Sequence, residues 1–325
     1  MKLSRRVGLG LVAFLAGATL RAEAPFRLVM QMDLPVKNAQ FAGLLLAEQK
    51  GWYKDAGLAV TLVSAQAGLD VARKVSAADN VVGSIESGLF LTGRATGLPI
   101  IAVGTMFQAS PLCLISFTNK GIHTPKDLAG KKVVVHADGH EALDTVLDKA
   151  GLSRALLTII EADYGNDVLL SGRYDAQQGY TVDEFVALQT EGHKVSALAL
   201  RDFGHVAYSQ VYFVSEEFLK NHRAELVKFI AVSNRGWKAA LADVPGTAHM
   251  ITTKYEPGLA LAYQTRSLEE IGKLLWAESP VTGAMRPATW ASNAASFLRS
   301  NPQATLSPMA TWADFKIADE SAALR

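Results

Sequence analysis

The sequence predicts an α/β protein of two lobes, the first interrupted by the second, with a helical carboxyl-terminal region. Three observations predict it. Short apolar runs alternate with amphipathic stretches over residues 26–103; the same rhythm restarts at Lys132 and continues to Leu200; and after the apolar run Val211, Tyr212, Phe213, Val214 the pattern turns almost wholly helical. Strand-length apolar runs separated by helical patterns mark β-α-β units, hence a mostly parallel sheet with helices on both faces. A chain of 325 residues is also long for one core and suits two units.

In the first lobe, strands are predicted at 26–30, 59–63, 81–85 and 100–103. After the first of these, Phe41, Leu44 and Leu45 share one helical face, with Glu48 and Lys50 among the polar positions. Gly51 and Gly57 bracket the end of that helix and the turn after it. The second lobe reads as strand 132–136, helix 140–150 closed by Gly151, strand 158–161, a short helix ending at 168–171, strand 175–179, helix 182–190 ended by Gly192, and strand 195–200. One long helix is predicted over 217–241. Further helices run to Phe297, broken at Pro245, Pro257, Pro280 and Pro287. No internal repeat or low-complexity linker is visible.

The predicted division is residues 23–107 plus 213–325 for the first lobe and 108–212 for the second, with crossings near 107–116 and 204–213. Two crossings make a hinge, and the cleft between such lobes, at the carboxyl ends of the strands, is a natural ligand site. The alternative is two independent domains with no cleft.

Residues 1–22 read as a signal peptide: Lys2, Arg5 and Arg6 open it, positions 7–20 are apolar or small, and Ala22 precedes Glu23. The apolar run is too short to span a bilayer; the other reading is an anchor or core helix. Residues 4–9 loosely fit a twin-arginine signal. Without residues 1–22, which hold four basic residues and no acid, the balance of 32 basic to 31 acidic becomes 28 to 31, net −3. That excludes the basic excess of a nucleic-acid binder. No cysteine ends the signal segment to carry a lipid. The expectation is a soluble, monomeric periplasmic protein. Cys113, the single cysteine, lies in an apolar run and reads as a small buried hydrophobe.

Several segments are distinctive: Asn38-Ala39-Gln40-Phe41-Ala42-Gly43, Gly51-Trp52-Tyr53-Lys54-Asp55-Ala56-Gly57-Leu58, Gln108-Ala109-Ser110-Pro111-Leu112, Thr124-Pro125-Lys126-Asp127-Leu128-Ala129-Gly130-Lys131, Leu169 to Ala176, Gly179-Tyr180-Thr181-Val182-Asp183-Glu184 and Asp202-Phe203-Gly204. In this order they resemble the solute-binding proteins of ABC importers for thiamine pyrimidine precursors and related heterocycles such as riboflavin. The resemblance implies a two-lobed periplasmic binding fold, type II-like, closure around one small molecule, a permease as partner, and no cofactor or catalysis. The Thr124–Lys131 segment also occurs in sulfonate, taurine and nitrate binders. Two positions depart from the family pattern: Leu34 stands where an aromatic often follows the acid Asp33, and Asp183 where many relatives have Asn. The related pyrimidine synthase carries a cysteine-rich stretch near Tyr180 to Asp183; here there is none.

Candidate ligand residues follow from this layout. Asp33 opens the first loop, and Asn38 serves either as N-cap or as a ligand-facing amide. Gln40 offers donor and acceptor, beside Phe41. Glu86 and Ser87 follow the third strand, and Gln108 begins the crossing. Asp138, Gly139 and His140, within the polar cluster His136 to Glu141, read as a ligand anchor, a metal site or a capped turn. Tyr180 suits ring stacking, and Asp183 and Glu184 either accept from an exocyclic amine or complement the helix dipole. Phe203 and Tyr208 flank the return crossing as ligand wall or core. No G-x-S-x-G, P-loop or G-x-G-x-x-G motif is present.

Overall fold

The computed structural model describes residues 24–136, 139–161 and 165–324. The predicted signal segment therefore lies outside the described residues. Among the described residues, ten strands form two five-stranded sheets. The first contains β1 (Phe26–Gln31), β2 (Leu58–Val63), β3 (Val81–Ile85), β4 (Ile100–Phe107) and β10 (Ser209–Ser215), in the order β2-β1-β3-β10-β4. The second contains β5 (Leu112–Phe117), β6 (Lys132–Val135), β7 (Thr158–Glu161), β8 (Ala176–Tyr180) and β9 (Val195–Ala199), in the order β7-β6-β8-β5-β9.

Both sheets are mixed, where the β-α-β rhythm predicts mostly parallel ones. In the first, β10 runs antiparallel to β3 and β4; in the second, β5 runs antiparallel to β8 and β9. The physical reason is the crossing itself. The chain passes from β4 to β5 through residues 108–111 and returns from the second lobe to β10 through 204–208. A strand that enters a lobe from its neighbour arrives running against the strands built there. The two lobes thus repeat one topology without repeating sequence.

Helices cover both faces of the first sheet, so β3 and β10 are buried along their whole length. On one face, helix Ala42–Gln49 packs against helix Arg223–Ala242 around Phe107 and Trp237. Gly43 and Gly236 set the distance between those helices: a Cβ on Gly236 would overlap the Gly43 carbonyl. On the other face, Phe90, Trp290 and Trp312 pack in tilted and edge-on pairs with centroids 5.3–6.1 Å apart. The edge strand β4 is covered by the carboxyl-terminal segment: Ala102 N–H donates to Trp312 O (2.8 Å) and Asp314 N–H to Ala102 O (2.9 Å). Arg223 holds that segment through Asp314 (2.6 Å) and Glu320 (2.7 Å).

The long helix expected at 217–241 is two helices, Glu216–Asn221 and Arg223–Ala242, broken at His222. His222 leaves helical geometry, and its ring packs 4.7 Å from Phe26 and 5.8 Å from Phe218. That docking turns the chain so that both helices lie on the sheet.

Candidate functional site

A cavity of about 520 Å³ lies between the lobes. It sits at the carboxyl ends of β3 and β8, where Glu86 follows one and Tyr180 ends the other. The first lobe supplies Glu86, Ser87 and Leu89 and, from helix Pro287–Ser300, Asn293 and Phe297. The second supplies Leu112, His140, Glu141, Gln178 and Tyr180, and the crossings add Ser110 and His205. Helix Pro287–Ser300 packs directly on helix His140–Lys149, so the lobes touch across the cavity. Tyr180 is half-buried and packs against the cores of both lobes. A flat ring at that place offers a stacking face.

Helix His140–Lys149 begins at Gly139, where a side chain would collide with the amide of Gln178. The glycine lets β8 and this helix start meet at the cavity. Gln178 in turn accepts from His136 N–H at 2.9 Å. His140 is held on both ring nitrogens: Arg154 Nη2 approaches Nδ1 at 2.6 Å and Glu161 approaches Nε2 at 3.0 Å. With the guanidinium donating to Nδ1, Nε2–H donates to Glu161. Asp144 takes Arg154 Nη1 at 2.8 and 2.9 Å. No group of three or more His, Cys, Asp or Glu among the described residues is arranged to hold a metal.

Two groups in the lining are electrostatically unusual. Burial, opposed by Arg299 and assisted by Asp144, pushes the Glu141 carboxyl up to about 7. Burial, with the Lys149 charge second, pushes His205 down to about 4, so its ring is neutral at pH 7. Glu141 Oε1, His205 Nδ1, Ser87 Oγ and both amide atoms of Asn293 are buried without a protein partner. Each such group costs about 1–3 kcal/mol when left unpaired, so a polar guest is the natural complement of this lining.

A second set of candidate residues gathers elsewhere on the lobe interface. Asp183, at the start of helix Glu184–Thr190, accepts from Gln40 Nε2 (2.7 Å), from Asn38 Nδ2 (3.3 Å) and from the Tyr263 hydroxyl. Burial raises the Asp183 carboxyl against the pull of these three donors. Asn38 also caps its own turn, accepting from Gln40 N–H at 3.0 Å. Asn38, Gln40 and Asp183 therefore bind one another and lie outside the cavity lining. Glu184 accepts from Tyr180 N–H at 2.8 Å and fixes that strand end.

The remaining candidates are placed as follows. Phe41 is fully buried in the first-lobe core, and Phe203 packs on the second-lobe core. Tyr208 is fully buried, and its hydroxyl donates to Glu278 (2.7 Å) and accepts from Arg286 N–H (2.6 Å). Gln108 clamps the segment after Trp276 through Glu278 N–H (2.9 Å), Ser279 N–H (2.7 Å) and Val281 O (2.8 Å). Asp33 lies in a first-lobe recess with Leu69 and Asp70 and accepts from Gln210 at 3.4 Å. Glu86, which accepts from the Ser209 hydroxyl, lines the cavity with Ser87, His140 and Tyr180. Asp138 lies outside the described residues. Cys113 is buried, donates to Gly179 O at 3.2 Å, and its thiol is pushed up by burial.

Sequence reasoning passed over His205, Gln178 and Asn293, and quoted Glu141 without choosing it. A signal for Asn293 was present: it falls on the same helical face as Trp290 and Phe297, where an apolar residue is the rule.

Residues 38–247 match the family described as NMT1/THI5 like. The chain belongs to that family. Among its relatives is the riboflavin-binding protein RibY of Chloroflexus aurantiacus, 26% identical over 68% of this chain and 64% of that protein. The formylaminopyrimidine-binding protein of Halalkalibacterium halodurans is 26% identical over 63% of this chain and 61% of that protein. The 4-amino-5-hydroxymethyl-2-methylpyrimidine phosphate synthase of Legionella pneumophila is 23% identical over 68% and 72%. In structure, this NMT1/THI5-like chain is similar to the periplasmic aliphatic sulphonate binding protein SsuA from Escherichia coli, with a TM-score of 0.70, 16% identity, and coverage of 86% of this chain and 93% of that one. The fold is that of the two-lobed periplasmic binding proteins. No helix among the described residues is long and apolar enough to cross a membrane.

Proposed function

We propose that this chain is the periplasmic solute-binding subunit of an ABC importer, and that it captures a small aromatic heterocycle such as a thiamine pyrimidine precursor. The observation that carries the reading is the cavity walled by both lobes, with Tyr180 between their cores and buried polar atoms around it. A guest that touches both walls favours the closed arrangement by its differential affinity for the two states. Closure excludes water and leaves the guest chemically unchanged. A permease then recognises the closed form.

The lining supports a neutral or weakly basic guest. Glu86, Glu141 and Asp144 stand against Arg154, whose charge Asp144 already meets. A sulfonate calls for the opposite balance. Two relatives named for binding a riboflavin or a formylaminopyrimidine point the same way.

Native mass spectrometry of the protein from its own cells, followed by a thermal-shift panel, tests this. A ligand at a hundred times its Kd stabilises the folded state by about 2.7 kcal/mol. Aminopyrimidines are expected to raise the melting temperature. A shift with alkylsulfonates and none with pyrimidines or flavins overturns the ligand class. The synthase name of one relative favours a second reading, an enzyme on this fold; turnover of a bound pyrimidine would establish it and end the carrier reading.

A further inference from the structure

Asn293 stands on helix Pro287–Ser300, on the face that buries Thr289, Trp290 and Phe297. It is 1% exposed and lines the interlobe cavity, and neither its amide oxygen nor its amide nitrogen meets a protein partner. Three further lining groups share that condition: Oγ of Ser87 on the first lobe, Nδ1 of His205 on the return crossing and Oε1 of Glu141 on the second lobe. A primary amide presents a donor and an acceptor side by side in one plane. The edge that satisfies both at once carries an acceptor next to a donor, as a ring nitrogen does beside an exocyclic amine. Asparagine reads adenine through the same paired geometry.

We propose that Asn293 is a specificity-determining residue of the ligand site, reading through both amide atoms a planar edge on which donor and acceptor are neighbours, as on an aminopyrimidine. The assignment rests on the solute-binding reading above and deepens it. Asn293 lies beyond residues 38–247, the stretch matched to the family. Glu141 and His205 bring polar atoms to the same cavity from the other lobe and from the hinge, so a guest held by Asn293 also engages what must close over it.

The test is isothermal titration of the whole protein with 4-amino-5-hydroxymethyl-2-methylpyrimidine and with the analogue lacking the 4-amino group. Wild-type protein is expected to prefer the amino compound by at least about tenfold, because the analogue leaves a buried acceptor unpaired. In Asn293→Leu, which cannot pair with either atom, that preference should fall to within about threefold. Asn293→Ser stays polar but cannot span both atoms; it is read the same way and carries the test if the leucine variant does not fold. A preference that survives both substitutions overturns the assignment and leaves the carrier reading standing. Wild-type protein that binds neither compound also overturns the assignment, and the thermal-shift panel with flavins and alkylsulfonates then decides the carrier reading separately.

Discussion

Gln40 donates its side-chain amide to the Asp183 carboxylate at 2.7 Å, joining the helix-entry loop of the first lobe to the first turn of a second-lobe helix. Asn38 and Tyr263 bring two more first-lobe donors to the same carboxylate. One acid thus holds the lobes together at a point the ligand cavity does not reach.

Asp183→Ala should therefore weaken closure more than it weakens either lobe. It leaves three donors without an acceptor, at a cost of about 1–3 kcal/mol for each that stays buried. Small-angle scattering should report a larger radius of gyration, and ligand affinity should fall. Asp183→Asn keeps an acceptor and should lose less. An alanine variant with unchanged scattering and affinity would remove the latch from the account.

Glu141 makes stability depend on pH. Its folded value of about 7 lies above the ordinary carboxylate value, so between about 4.5 and 7 the folded state binds more protons than the unfolded one. Stability from this group falls as pH rises through that window and levels off above it, for a total of about 3 kcal/mol. Glu141→Gln should abolish the loss and be more stable than wild type at pH 8 in urea titrations. Equal stability of the two proteins at pH 8 would contradict the burial of this carboxyl.

His205 works in the opposite direction. Its folded value of about 4 lies below the ordinary imidazole value, so between about 6.5 and 4 the unfolded state binds the extra proton. Stability from this group is lost as pH falls, again by about 3 kcal/mol. The windows of His205 and Glu141 overlap from about 4.5 to 6.5, where their slopes cancel. His205→Asn should unmask the rising stability toward acid that Glu141 provides; Glu141→Gln should unmask the loss that His205 provides. Parallel pH profiles in the two variants would refute the opposed titrations.

Gly236→Ala places a methyl group against the Gly43 carbonyl and should destabilise by about 1–3 kcal/mol. Gly258→Ala, where nothing lies within 4 Å and φ is not in the left-handed region, should stay within about 0.5 kcal/mol of wild type. Thermal unfolding of the pair separates close helix contact from a general glycine effect.

The fold and the site were legible to different depths. Strand-length apolar runs such as those at β3 and β10 mark themselves, because burial on both faces requires them. Strand direction does not: β5 and β10 read as ordinary strands, and only the passage between lobes turns them against their neighbours. His222 gives no local sign that its ring will dock on Phe26 and end a helix. At the site, Glu86, Ser87, His140 and Tyr180 meet in one cavity because each follows or ends a strand. Asn38 and Gln40 read as ligand groups, and both donate to Asp183 across about 145 residues of chain, a pairing that no local pattern announces. Asn293 marks itself as a polar residue on an apolar helical face, but the cavity it reaches depends on the tertiary placement of a late helix.

The strand β10, wedged between β3 and β4, fixes an order of assembly. Residues 112–199 supply every strand of the second sheet in one continuous stretch, whereas the first sheet lacks a central member until residue 215 has been synthesised. During vectorial synthesis the middle of the chain can mature while the beginning waits, its β3 edge unpaired. A nascent chain truncated before Ser209 would thus present one finished half and one open seam, the form that a chaperone would meet.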